Sequence, residues 1–281
     1  MKTCKLLKID LYNGLCFKVR YLVFIGLSIF ACYITYNMQS NLPEELSVGS
    51  LHISDYIAYI IGGSVPMKPN TEFEFSIMWF TIMVFQLLMP LDYPSGSMDL
   101  WGYPYFTHTS RTIWWRAKYF YVILVNIFTE LLFLLSVLIF GFFTKMELSL
   151  KNNPKFFEAI FSMADFHREG SYTFIANIVL LIMIPLLGIM AMSLIQLFVS
   201  VFVHPVIAYM ISLVWLFLSL FRIHPLLLGN LTMIIRQNRI FPVGISVKSA
   251  LIVTACIIIG VYIVGLYVMK QKDIFVMRRE S

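Results

Sequence analysis

The sequence predicts an all-α, polytopic membrane protein with six transmembrane helices and cytoplasmic N- and C-termini. Three observations predict it. Apolar residues fill 59% of the 281 positions and charged residues only 13%, with a mean hydropathy of +0.82, where a soluble domain carries about 25% charged residues. The apolar residues gather in runs close to the ~20 residues that one bilayer crossing takes. The 21 Lys and Arg lie in short segments between those runs, so the net charge of +6 reflects membrane topology and not nucleic-acid binding.

The first twenty residues carry Lys2, Lys5, Lys8, Lys18 and Arg20, while Cys4, Leu7, Leu11 and Leu15 share one side at helical spacing. That pattern predicts an interfacial helix over 1–20, leading into a first span at 19–36. No small-x-small cleavage pattern follows, so the span is expected to be retained. The next loop is acidic, with Glu44, Glu45, Asp55, Glu72 and Glu74 against a single Lys68, and Tyr56 to Ile61 reads as a short amphipathic helix lying on the membrane. A second span at 75–89 is closed by Pro90, with turn signals at Pro94 and Gly96.

Residues 97–118 form a polar, aromatic and basic segment ahead of the third span at 119–143. Trp101, Trp114 and Trp115 are three of the five tryptophans, and they stand with Arg111, Arg116 and Lys118. Such a mixture serves either as an interfacial anchor or as a docking surface for a soluble partner, because Trp and Arg also supply binding hot spots. Arg111, Trp114, Trp115 and Lys118 stand at i, i+3, i+4 and i+7, a single stripe on a helix.

Thr144 to Thr173 is a charged loop. Residues 174–221 then run without Asp, Glu, Lys or Arg for about twice the length of one crossing, and divide into spans at 174–198 and 202–221 around His204 and Pro205. Residues 222–249 hold apolar runs too short to cross, which favours outer re-entrant or interfacial helices. The sixth span lies at 250–269. Of the 21 basic residues, 12 fall on the termini and the 97–118 side and 9 on the longer opposite loops, which places the termini in the cytoplasm.

Chemistry-bearing motifs are few. No cysteine pair is placed for a disulfide, no phosphate-cradling G-x-x-x-x-G-K-[ST] is present, and His52, His108, His167, His204 and His224 are scattered without metal-ligand spacing. Glu44 and Glu45 lack the Arg that an intramembrane protease motif requires, since that position is Gly49, and G-x-S-x-G is absent. Glu130 is the one acidic residue inside a span, with Asn126 a turn before it on the same face. A carboxylate there must face protein or water. It reads either as an interhelical hydrogen bond, with Gln86 of the second span as partner, or together with Asn126 as the lining of a substrate path. Pro185, with Gly188, reads as a kink on that path or as a packing site in the fourth span.

Gly102, then Ser110-Arg111, Trp114-Trp115 and Lys118 at the start of the third span, resembles the intracellular segment of bacterial ABC-2 type transporter permeases, in the subgroup found with small-peptide or bacteriocin export systems. The resemblance implies a transmembrane subunit that is not itself an enzyme and holds no cofactor. A separate ATPase subunit would carry ATP and Mg and dock on Trp101, Gly102, Tyr103, Tyr105, Phe106, His108, Ser110, Arg111, Trp114, Trp115 and Lys118. It further implies pairing with a second permease copy or paralogue in the lipid of the cell membrane, and export of an amphipathic peptide, bacteriocin or lipid-like substrate. The sequence departs from the family in lacking an acidic residue between Tyr103 and Ser110. A polytopic membrane enzyme and a non-transporting scaffold or sensor are the alternatives.

Overall fold

A computed structural model describes residues 2–15, 19–40, 52–64, 75–91, 110–147, 149, 177–241 and 243–271. These are mostly helical, and among them no strand forms. The helices are α1 (Lys2–Leu15), α2 (Val19–Ser40), α3 (Ile53–Ile60), α4 (Ile77–Leu88), α5 (Arg111–Phe143), α6 (Ile184–Val199), α7 (Pro205–Leu218) and α8 (Val247–Gln271). A π-helical turn, Val179–Met183, leads into α6, and 3-10 turns at Leu228–Thr232 and Ile234–Arg236 separate α7 from α8. Four helical segments are long and apolar enough to cross a membrane: Val19–Ser40, Arg111–Phe143, Val179–Val199 and Val247–Gln271. The second and fifth expected spans are shorter helices, of 12 residues in α4 and 14 in α7.

α5 is the axis of the bundle, packed on by α1, α2, α3, α6 and α8. Its contacts fix helix directions. Asp10 meets Lys118, Tyr21 meets Phe128 and Tyr36 meets Phe140, so α1 and α2 run parallel to α5. Trp115 meets Phe198 and Asn126 meets Ser193, while Trp115 reaches Tyr262 and Tyr119 reaches Ile258, so α6 and α8 run antiparallel to it. The bundle end where α5 begins is therefore also where α1 begins and α8 ends.

α1 differs from a helix lying flat on headgroups. Leu6 and Asp10 are buried against α5, and a Cβ on Gly14 would overlap the Tyr121 ring, so the inward face centres on Leu6, Asp10 and Gly14, with Leu7 and Leu11 packed part-buried beside it and Cys4 exposed. α3 departs further from expectation. Ile53 to Ala58 and Ile60 are all buried, which makes it an internal element packed on α2 and α5 and not a surface helix. Its single acid, Asp55, is spent locally, its carboxylate accepting from the His52 backbone N–H at 2.9 Å.

The helical segment expected as the fourth span behaves as its proline requires. Pro185 has no N–H and its ring crowds the carbonyl four residues back, and the helix opens into the wider π turn over 179–183 just before it. Gly188, one turn later, is a packing site: a Cβ there would press on Thr232 Cγ2 at 3.1 Å and Leu231 Cβ at 3.2 Å. The turn between α6 and α7 falls at 200–204 as expected, with Pro205 in the first turn of α7 and His204 Nδ1 accepting from the Val206 N–H at 3.4 Å.

Candidate functional site

The mid-span acid of α5 lies in a polar layer shared by three helices. Gln86 Nε2 of α4 donates to Glu130 Oε2 at 3.0 Å, Ser193 Oγ of α6 donates to Asn126 Oδ1 at 3.1 Å, and Gln196 Nε2 donates to the Leu87 carbonyl at 3.3 Å. All five side chains are buried. The interhelical hydrogen bond expected between Glu130 and Gln86 is therefore present, and Asn126 is bonded across to α6. Pro185 lies in the turn that opens α6 and is not one of these partners. Next to the layer, Pro90, Leu91, Val122, Ser193, Gln196, Leu197 and Ser200 line a small pocket.

The expected docking segment divides in two. Trp101, Gly102, Tyr103, Tyr105, Phe106 and His108 lie outside the described residues. Within α5 the stripe is not an open surface: Trp114, Trp115 and Lys118 are all buried. The Trp115 indole rests on Gly265 of α8, where any Cβ would overlap it, and its Nε1 donates to the Tyr262 carbonyl at 3.3 Å. Tyr119, one turn on, donates to the Ile258 carbonyl at 2.8 Å and packs its ring at a tilt against Tyr262. Lys118 Nζ donates to Asp10 Oδ1 of α1 at 2.8 Å, with side-chain exposures of only 2% and 4%. These residues clamp the first turns of α5 between α1 and α8. Of the segment's described residues, Ser110 and Arg116 are exposed and Arg111 is half-buried.

A second buried cation anchors the opposite end of the bundle. Arg236 is fully buried; its Nε donates to the Ser64 carbonyl at 3.0 Å, Nη2 to Leu220 O at 2.6 Å, and Nη1 to Asn230 Oδ1 at 2.6 Å and to Ser219 O. Ser219 and Leu220 close α7, so the guanidinium sits where a helix C-terminus favours positive charge. Asn230 Nδ2 in turn holds the Arg222 and His224 carbonyls, and Ile234 and Ile235 donate backbone hydrogen bonds to Ile61 and Gly62. The short apolar runs of 222–249 thus form a buried, hydrogen-bonded cap on α3, α6 and α7.

The sequence pattern pointed to Glu130, Gln86 and Asn126 but not to Ser193, Gln196, Asp10 or Arg236. Asp10 had a signal, as the one acidic residue in the first 43 positions. Comparison with family models, with curated proteins and with solved structures finds no match.

Proposed function

We propose that this chain is the membrane-spanning permease subunit of an ATP-binding cassette exporter, driven by a separate ATPase that carries ATP and Mg. It acts in the cell membrane beside a second permease copy or paralogue, and moves an amphipathic peptide, bacteriocin or lipid-like substrate outward. The observation that carries this reading is the clamp on α5. Coupling to a soluble motor requires a stiff element that reaches beyond the bilayer and is fixed to several spans. α5, at 33 residues, rises about 50 Å against a hydrocarbon core of about 30 Å. Its first turns are tied to α1 through Lys118 and Asp10, and to α8 through Trp115 and Tyr119. Force applied at Ser110 and Arg111 is thereby shared among three helices.

Helix direction supports six crossings. α2 and α5 run parallel, and a chain that crosses in the same sense twice returns in between, where α4 is the apolar helix at hand. α6 and α8 likewise share a direction, with α7 between them. In this arrangement the docking surface is 97–113, while Trp114, Trp115 and Lys118 transmit and do not touch the ATPase.

The test is purification of the tagged full chain from native membranes, probing for a co-purifying P-loop ATPase. Arg111→Ala combined with Tyr105→Ala is expected to lower capture about thirtyfold, the effect of losing a hot spot of about 2 kcal/mol, with the thermal midpoint of the permease unchanged. No ATPase with the wild-type chain, or equal capture by the double variant, would overturn the reading.

A further inference from the structure

We propose that the outward face of α1 is a docking surface for the headgroups of anionic phospholipids, in the leaflet at that end of the bundle. Lys5, Lys8, Ile9 and Tyr12 stand at i, i+3, i+4 and i+7, one stripe on the helix, and all four are exposed, Tyr12 at 72%. The opposite face is taken. Leu6, Asp10 and Gly14 pack on α5, and the Asp10 carboxylate accepts from Lys118 Nζ at 2.8 Å. Asp10 is the one acid in the sequence of α1, so the negative charge of this helix is turned inward to Lys118 while the two lysines are turned outward. The ion pair thereby sorts the helix by sign and leaves a basic, aromatic-edged stripe on the side away from α5.

The depth of the stripe selects the partner. α1 keeps step with α5, since Asp10 meets Lys118 and Gly14 meets Tyr121, so Lys8 stands level with Arg116 and Tyr12 with Phe120. Both helices change character across that turn. On α5 the exposed residues pass from Arg116 to Phe120 and Leu124, and along α1 and α2 they pass from Lys5 and Lys8 through Tyr12 to Val19 and Leu22. α8 shows the same change between the exposed Tyr267 and Lys270, at the same end of the bundle. Charged, then aromatic, then apolar is the profile of a membrane surface followed from water into hydrocarbon. The stripe therefore lies at headgroup depth, where a lysine stem follows apolar surface and its ammonium reaches lipid phosphate. Phosphatidylcholine carries its own cation beside that phosphate and is neutral. A lipid of net negative charge complements the stripe, at about fivefold in affinity for each lysine. The assignment rests on α2, α5 and α8 crossing a membrane and needs no ATPase, so it is tested separately from the exporter reading.

The reporter is Cys4, exposed one turn before Lys8, in a full chain whose Cys16 and Cys256 are replaced by serine, Cys32 being buried. A fluorophore on Cys4 is read in phosphatidylcholine nanodiscs as nitroxide-labelled lipid is added, either phosphatidylglycerol or phosphatidylcholine, with the label near the headgroup. Labelled phosphatidylglycerol is expected to reach half-quenching at about twenty-five-fold lower mole fraction than labelled phosphatidylcholine, the product of the two lysines. The preference should fall about fivefold in Lys5→Gln or Lys8→Gln and to near parity in the double variant. Lys5→Arg combined with Lys8→Arg keeps the charge and should keep the preference. Lys248→Gln, exposed at the other end of the bundle, should leave it unchanged. All these side chains are exposed, and each variant is expected to retain the wild-type thermal midpoint. Equal quenching by the two lipids, or an undiminished preference in the double glutamine variant, would overturn the proposal. Equal quenching together with loss of ATPase capture in that variant would assign the stripe to an acidic protein surface instead. Quenching by neither lipid would place α1 away from the bilayer and overturn the proposal as well, while leaving the exporter reading to the capture experiment.

Discussion

Lys118 Nζ donates to Asp10 Oδ1 at 2.8 Å, and both side chains are sealed within the contact between α1 and α5. Removing one member of such a pair strands the other charge at a typical cost of about 3 to 5 kcal/mol, whereas replacing both with apolar residues is often neutral. Asp10→Leu and Lys118→Met are each expected to lower the thermal midpoint of the purified chain strongly, and the double variant to recover most of the loss. Additive losses would show that the ion pair does not hold α1 in place.

The Glu130 and Gln86 pair predicts a graded series. Glu130→Gln retains an oxygen that accepts from Gln86 Nε2 and is expected to assemble like the wild type. Glu130→Leu leaves that amide buried without a partner, at about 1 to 3 kcal/mol. Unfolding in detergent measures both, and a Leu variant as stable as the Gln variant would place Glu130 outside any buried bond.

Arg236 should tolerate no substitute. Lysine presents one compact ammonium where the guanidinium fork serves four acceptors, so Arg236→Lys is expected to cost nearly as much as Arg236→Met, on the order of 3 kcal/mol. Burial pulls the guanidinium down to about 10, so it stays charged at neutral pH. For a base whose folded value is depressed, the burial penalty is constant below that value and is relieved only as pH climbs from there toward the unfolded one. The midpoint difference between wild type and Arg236→Met is thus expected to be flat from about pH 6 to about pH 9.

Gly265 is expected to accept no side chain. Even alanine would drive its Cβ into the Trp115 indole, and overpacking of this kind costs about 1 to 3 kcal/mol. Restored stability in Gly265→Ala combined with Trp115→Leu, measured against each single variant, would identify that contact as the cause.

Topology is checked by thiol labelling in a chain whose four native cysteines are replaced by serine. A cysteine at the exposed Val243 should react with an impermeant reagent added to intact cells, and one at the exposed Lys8 only after permeabilisation. The reverse pattern would invert the orientation and remove the docking surface from the cytoplasm.

The long spans were legible because each needs only a run of apolar residues, and the bond from Gln86 to Glu130 because a polar side chain inside such a run has few partners to choose from. The clamp was not legible. Arg111, Trp114, Trp115 and Lys118 make a stripe on any helix, but periodicity does not say whether a neighbour covers it, and a lysine reads as surface until its acid is found 108 positions away. Arg236 was hidden differently. Its partners are mostly backbone carbonyls, which every sequence possesses, so no pattern of side chains announces the site.

The brevity of α4 and α7 has a consequence for the surrounding lipid. At 12 and 14 residues they rise about 18 and 21 Å, while hydrocarbon is about 30 Å thick. Ile207, Met210, Ile211 and Val214 of α7 are exposed, as are Leu131, Leu135 and Phe142 of α5, so the six-span arrangement proposed above would set a short apolar wall against lipid on one side and a tall one on the other. In that arrangement the bilayer would thin at one flank of the molecule and not at the other, a hydrophobic mismatch that varies around the perimeter. Lipids with shorter acyl chains are then expected to gather beside α7, and the chain should be most stable in bilayers thinner than average, measurable across a series of phosphatidylcholines of increasing chain length.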